Sequence, residues 1–232
     1  MSWKTETIFI RPARLDSGPE KLVTDLGYQD HRKISETPIS GAGVGSVWIG
    51  AAGDCVIIYT RFAAHFFGAD DDEEFNSFRS ALLRHFSDAD ITPLFLDNRS
   101  GAWGFAVFRH GTLIRCQYGE DGAVMGDEGA RLPAEEAHLA RFERRKVNGE
   151  VLYRDSENPG AGDLTVSDVG CALVVEMFQS FTGLHFDDVD GFGIGANFWL
   201  NEKEQERYSR SRAGLAAVYT SSSVRPWWKF WG

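Results

Sequence analysis

Hydrophobic and polar positions alternate most clearly between residues 101 and 118, where two short strands are predicted to meet at a turn. The turn is predicted at His110-Gly111. A two-residue loop in a primed turn needs a positive φ at both positions, which glycine adopts freely and histidine tolerates better than most residues. A loop of that length fixes the cross-strand register. Counting outward from it gives three apolar pairs, Val107 with Ile114, Phe105 with Cys116, and Trp103 with Tyr118. One face of this hairpin is therefore predicted to be continuously apolar.

The opposite face of the predicted hairpin has a different composition. Gly104 and Ala106 are small, while Arg115 and Gln117 are polar. Small residues in a strand allow another backbone to approach closely. This face is therefore expected to be either solvated or covered by a neighbouring segment.

Two segments have apolar residues at helical spacing and are predicted to pack against the sheet. In residues 71–86 the helical stripe is Phe75, Phe78, Leu82 and Phe86. The segment 167–181 is apolar almost all round, which is typical of a central helix. Thr165, with Asp168 three residues later, resembles a capping box at its start.

Other patterns complete a prediction of the fold. Residues 55–59 form a β-branched apolar run that indicates a buried strand. A helix is predicted to begin at Leu132-Pro133 and to end before Asn148-Gly149. We predict the α+β class, with a mainly antiparallel sheet and the helices packed on one face. Residues 1–220 are expected to form a single domain, and residues 221–232 a flexible segment with an aromatic tail.

The composition limits the classes of protein to consider. Of the 232 residues, 43% are hydrophobic, and no apolar run approaches the roughly 18 residues that would indicate a membrane span. The first residues lack the hydrophobic core of a signal peptide, so we expect a cytoplasmic protein. The net charge of −10 argues against nucleic-acid binding, which needs clustered lysine and arginine. An acidic partner is also unexpected, whereas a basic protein partner stays open.

The sequence assigns no catalytic residue, no metal ligand and no cofactor. Cys55, Cys116 and Cys171 stand far apart in apolar segments and are expected to be buried thiols. The histidines lack the spacing of a metal-ligand pair. Two glycine-rich runs, at residues 41–45 and 191–195, lack the strand and helix context of a phosphate-binding loop.

Glu176 and Arg115 are the candidate ionisable residues. Glu176 lies in the otherwise apolar segment 167–181, and a buried carboxylate needs a cationic partner or a raised pKa. Arg115, on the predicted hairpin, is one possible partner. The alternative is that Glu176 lies on the one exposed stripe of the helix, since glutamate is seldom fully buried.

The aromatic tail supplies the candidate binding residues Trp227, Trp228 and Trp231. Exposed tryptophans would create an apolar patch that soluble proteins seldom tolerate. The tail is therefore expected either to pack against its own domain or to act as an anchor for a partner.

Over about residues 101–135, the chain is similar to a family of uncharacterised bacterial domains, in the residues from Trp103 to Arg115 and in the Gly-x-x-Leu-Pro helix start within Gly129 to Glu135. The resemblance implies a bacterial intracellular α+β domain and no activity. Three hypotheses for function follow. The leading one is a non-enzymatic protein-interaction or regulatory domain. The alternatives are a hydrolase or transferase without a readable motif, and a small-ligand-binding protein. The oligomeric state is left open.

Overall fold

Nine strands form one antiparallel sheet in the part of the chain that the computed structural model describes. That part comprises residues 4–28, 31–39, 46–67, 72–97, 99–160, 162–183 and 193–199. The sheet strands are β1 (Lys4–Arg11), β2 (Arg32–Thr37), β3 (Ser46–Ala52), β4 (Cys55–Tyr59), β5 (Asp90–Asp97), β6 (Ala102–Arg109), β7 (Thr112–Glu120), β8 (Ala123–Glu128) and β11 (Gly195–Trp199). Strands β9 (Phe142–Val147) and β10 (Glu150–Asp155) form a separate two-stranded hairpin. The predicted α+β class with a mainly antiparallel sheet is confirmed.

The order of the strands across the sheet is β2-β11-β3-β4-β1-β5-β6-β7-β8. Strand β1 lies in the middle and pairs with both β4 and β5. Strand β11 lies between β2 and β3 and is the sheet partner of β2. Consecutive strands form hairpins from β5 to β8, as expected for a meander.

Helices cover both faces of the sheet, so the expectation that they lie on one face is wrong. Alternate residues of β1 enter different cores: Ile8 and Ile10 pack in one, Phe9 in the other. The first core, here called the α3 face, contains residues of α1 (Pro19–Asp25), α2 (Phe62–His65) and α3 (Glu73–His85). The second, the α5 face, contains residues of α5 (Val166–Thr182). The central strands are apolar at successive positions because both of their faces are buried.

The helix boundaries follow the capping signals. The side chain of Asp72 accepts hydrogen bonds from the backbone N–H groups of Glu74 and Phe75, at 2.8 and 3.3 Å, and so caps α3. Thr165 and Asp168 form the predicted capping box at the start of α5. Gly183, with φ of 69°, ends α5 in the left-handed conformation.

The hairpin of β6 and β7 has the predicted turn but a different register. Arg109 pairs with Thr112, as a two-residue loop at His110-Gly111 requires. Beyond Phe108 a β-bulge at Ile114 shifts the pairing by one residue. Val107 therefore lies opposite Arg115, Phe105 opposite Gln117, and Trp103 opposite Gly119. The predicted apolar pairs are wrong, and Arg115 and Gln117 lie on the α5 face with Phe105 and Trp103.

The segment from Pro133 to Val147 is a short helix followed by a strand, which corrects the prediction of one helix. Helix α4 (Pro133–Leu139) ends after two turns. Strand β9 then pairs with β10 through a turn in which Asn148 and Gly149 have φ of 52° and 93°. An Asn-Gly pair with positive φ at both residues is the strongest short signal for a hairpin, and it outweighs the helical spacing before it.

No helix of the described residues is long and apolar enough to cross a membrane. The division into residues 1–220 and 221–232 stays a prediction. Trp227, Trp228 and Trp231 lie outside the described residues, as do residues 41–45 and 191–192 of the two glycine-rich runs.

Candidate functional site

A cavity of about 210 Å³ lies on the α5 face, between α5, the β7–β8 hairpin and the β9–β10 hairpin. Its polar lining residues are Gln117, Asp127, Arg131, Arg144 and Tyr153. Its apolar lining residues are Trp103, Val124, Leu139, Val166, Val169 and Leu173. The cavity therefore combines an apolar wall from α5 with two arginines from the segments around it.

Arg144 and Tyr153 reach the cavity because they are cross-strand partners in the β9–β10 hairpin. Side chains directly opposite each other in a strand pair point to the same face. The hairpin is held in place by Leu164, which exchanges two backbone hydrogen bonds with Tyr153, at 2.8 and 2.7 Å. The turn at Asn148-Gly149 thus fixes the register that brings an arginine and a tyrosine to the cavity together.

Arg131 lies in the short connection between β8 and α4, and that connection is anchored at both sides. Gly129 has φ of +84°, and a Cβ added there would lie 2.1 Å from the backbone oxygen of Ile114. Past Arg131, the backbone N–H of Leu132 donates to the carboxylate of Glu135 at 2.8 Å. The bulge at Ile114 and the start of α4 therefore position Arg131 at the cavity.

Arg115 joins these elements through a fully buried ion pair. Its Nε and Nη2 atoms donate to the two carboxylate oxygens of Glu135, at 2.8 and 2.7 Å. Both side chains are 0% exposed. Nη1 donates to the side chain of Asp127 and to the backbone oxygen of Glu128 at 2.9 Å. Burial disfavours the charged guanidinium, but these bonds outweigh it and the pKa of Arg115 lies above its ordinary value.

Arg131 and Arg144, the two arginines of the cavity, differ from neighbouring arginines in whether they form ion pairs with carboxylates. Arg141, Arg145 and Arg154 each lie within 4 Å of a carboxylate oxygen. Among the described residues, neither Arg131 nor Arg144 has an ion pair or a side-chain hydrogen bond. Asp127, the acidic residue of the lining, is bound to Arg115 and accepts from Gln117 Nε2 at 3.4 Å. The guanidinium groups of Arg131 and Arg144 are thus available to an anion.

Trp103 packs between two glycines at the side of the cavity. A Cβ added to Gly170 of α5 would lie 2.0 Å from Cε2 of the indole, and one added to Gly119 would lie 3.0 Å from Nε1. The indole Nε1 is buried and has no hydrogen-bond partner among the described residues. The two glycines therefore let α5 and β7 approach the ring closely.

Glu176 and Arg115, the candidate ionisable residues, belong to different ion-pair clusters. Glu176 Oε1 accepts from Nη1 of Arg141, and Oε2 lies 2.8 Å from Nδ1 of His138. Its side chain is 42% exposed, as in the alternative that placed it on an exposed stripe of the helix. Arg115 is bound to Glu135 and Asp127 instead. The suggested pairing of Glu176 with Arg115 is therefore wrong.

His138 connects α4 to α5 by both ring nitrogens. Nδ1 faces Glu176, and Nε2 lies 3.0 Å from the backbone oxygen of Val169. The ring also packs on Phe142 of β9, with 5.0 Å between the ring centroids. With both nitrogens occupied, His138 acts as a structural connection between the cavity's walls.

The three cysteines are poor nucleophiles in the folded protein. Burial raises the pKa of each thiol, in Cys55, Cys116 and Cys171, to about 11. The thiolate is the reactive form of cysteine, so all three are protonated at neutral pH. Among the described residues no cluster of histidine, cysteine or carboxylate side chains could hold a metal ion.

The chain matches no family model, no curated protein and no solved structure. The resemblance at about residues 101–135 therefore brings no family membership, and function has to be inferred from the geometry of the cavity.

Reasoning from the sequence missed three of the polar residues that line the cavity, Arg131, Arg144 and Tyr153. Arg144 falls within the segment that the sequence predicts as a helix, and neither Arg131 nor Tyr153 stands out in the sequence. The Asn148-Gly149 turn was the signal that could have found Arg144 and Tyr153, since it predicts a hairpin in which those residues face each other. Arg131 has no comparable local signal.

Proposed function

We propose that the protein binds a small organic anion in the cavity beside α5. This is the small-ligand-binding hypothesis among the three drawn from the sequence. The observation that carries it is the convergence of Arg131 and Arg144 on one cavity, with neither guanidinium paired among the described residues. A guanidinium recognises a carboxylate or phosphate through two parallel hydrogen bonds, so a pair of free ones favours an anionic ligand.

The charge of the lining supports this choice of ligand. Arg131 and Arg144 contribute two positive charges to the lining and Asp127 one negative charge, which leaves the lining a net charge of about +1. The whole chain carries −10. A positive site on an acidic protein concentrates small anions locally, whereas the rest of the surface repels them.

The size and the apolar wall narrow the ligand class further. A volume of about 210 Å³ lies below the roughly 300–1,000 Å³ of typical small-molecule pockets. Val166, Val169 and Leu173 of α5 offer an apolar surface within it. The ligand that fits is a small carboxylic acid or phosphate ester with a short apolar body.

The carboxylates and the cysteine around the cavity favour a binding function over catalysis, because the carboxylates are held in ion pairs and the thiol is protonated at neutral pH. Asp127 is held by Arg115, and Glu176 by Arg141 and His138, so these carboxylates are engaged in structural pairs. Cys171, on α5, has its pKa raised to about 11 by burial. A regulatory or protein-interaction role stays a prediction, and its sequence evidence in the tail lies outside the described residues.

The experiment is calorimetric titration of the full chain with carboxylates of four to eight carbons, pentanoate and benzoate among them. We expect Arg144→Met to raise the dissociation constant at least about tenfold, because it removes one charge-assisted bidentate contact. Arg145→Met is the matched control, because Arg145 has the same charge in the same strand but pairs with Asp163. The proposal is wrong if none of the acids binds, or if both variants weaken binding equally.

A further inference from the structure

We infer that the ligand of this cavity carries two anionic groups, the second of which is bound by Lys146. This inference rests on the proposed function, because it names the class of ligand for the same site. It comes from a comparison of the two faces of the β9–β10 hairpin.

The register of the hairpin sorts its side chains into a face towards the cavity and a face away from it. Arg144 lies opposite Tyr153, and both line the cavity. Lys146 lies opposite Val151, two residues further towards the turn. Because side chains in a strand alternate, Lys146 projects from the same face as Arg144.

The cations on the two faces differ in how they are neutralised. Arg145 and Arg154, on the face away from the cavity, share the carboxylate of Asp163, at 3.7 and 3.8 Å. Lys146, like Arg144, has no ion pair among the described residues, and it is exposed. The hairpin therefore presents its unpaired positive charge on the cavity side.

The spacing of these cations sets the spacing of the anionic groups that they would bind. Residues two apart in a strand are separated by about 6.6–6.8 Å. In an extended α,ω-dicarboxylic acid of five carbons, the outermost oxygens of the two carboxylates are separated by a similar distance. A short diacid would thus place one carboxylate between Arg131 and Arg144 and the other on Lys146.

The test compares pentanoate with pentanedioate, which differ by the second carboxylate, in calorimetric titrations of the full chain at low ionic strength. We expect the diacid to bind about fivefold more tightly, the upper range for an exposed charge pair. Lys146→Met should remove this preference and leave pentanoate binding unchanged, and Lys146→Arg should restore it. Arg145→Met, which removes an equal charge from the other face, should leave the preference intact.

The outcomes separate this inference from the proposed function. Equal affinity for the two acids, or a diacid preference that survives Lys146→Met, would overturn the inference while the anion site stands. A preference that falls equally with Lys146→Met and Arg145→Met would also overturn it, because it would then reflect overall charge. Failure of both acids to bind would count against the proposed function itself.

Discussion

Arg115 and Glu135 form an ion pair in which both side chains are completely buried and the guanidinium meets the carboxylate through two nitrogens. The pair joins strand β7 to the first turn of α4, and the same carboxylate accepts the backbone N–H of Leu132. It therefore fixes the connection that carries Arg131 to the cavity.

Glu135→Gln is expected to destabilise the protein by about 3–5 kcal/mol, because it leaves the guanidinium of Arg115 buried with too little negative charge. Urea unfolding measures the change. Asp127→Asn is the control, since Asp127 is 49% exposed and water can replace its contact with Arg115. We expect a cost of about 1 kcal/mol or less there. If both variants lose the same free energy of unfolding, burial of the carboxylate does not determine how much each ion pair with Arg115 stabilises the protein.

Gly129→Ala should destabilise the protein more than Gly111→Ala. Both glycines have positive φ, +84° and +74°, so each substitution carries the left-handed penalty of about 1–2 kcal/mol. At Gly129 the new Cβ would also lie 2.1 Å from the backbone oxygen of Ile114, whereas at Gly111 nothing lies within 4 Å. The difference in melting temperature between the two variants measures the cost of the contact between the new Cβ and Ile114. Similar melting temperatures would show that this contact costs nothing.

Gly170→Ala reverses the usual effect of this substitution in a helix. Alanine normally stabilises a helix interior by about 1 kcal/mol relative to glycine. Here the added Cβ would lie 2.0 Å from the Trp103 indole, so we expect a loss of about 1–3 kcal/mol. A double-mutant cycle with Trp103→Phe should recover part of this loss in urea unfolding. A cycle without coupling would mean that the indole is not the obstacle.

The raised pKa values of the three thiols, of which Cys55 and Cys116 are buried and Cys171 is half-buried, predict that stability falls in alkaline solution. An unfolded cysteine ionises near a pKa of 9.0, while the folded thiols ionise near 11. Between these pH values the unfolded state binds fewer protons, so the free energy of unfolding decreases as pH rises, by at most about 1.4 kcal/mol per pH unit for each cysteine. Urea unfolding at about pH 8 and pH 10.5 measures this slope. The triple Cys→Ala variant should have a shallower one, and an unchanged slope would assign the effect to other groups.

Sequence patterns predicted the elements whose signals are local. The capping box of Thr165 and Asp168 and the amphipathic spacing in residues 71–86 depend only on neighbouring residues, and both helices formed as expected. The turn at His110-Gly111 is also local, and its two-residue loop is confirmed.

The errors arose where distant segments decide the structure. The bulge at Ile114 lies against Gly129, 15 residues later, so counting outward from the turn could not detect it. That one-residue shift moved Arg115 and Gln117 onto the α5 face, next to the cavity. The division of helices between two faces likewise depends on which strands lie at the centre of the sheet, and strand order is not encoded in periodicity.

The position of β11 has a consequence for the order in which the molecule can assemble. Seven strands, β3, β4, β1, β5, β6, β7 and β8, pair with each other through segments that are all synthesised by residue 128. Strand β2 is synthesised early, but its sheet partner is β11, at residues 195–199. During synthesis, about 160 further residues must be added after β2 before it can form hydrogen bonds with β11. Forming a contact between segments so far apart in the sequence is slow. The edge of β3 is a template for other chains during that interval, and β11 protects it when it arrives.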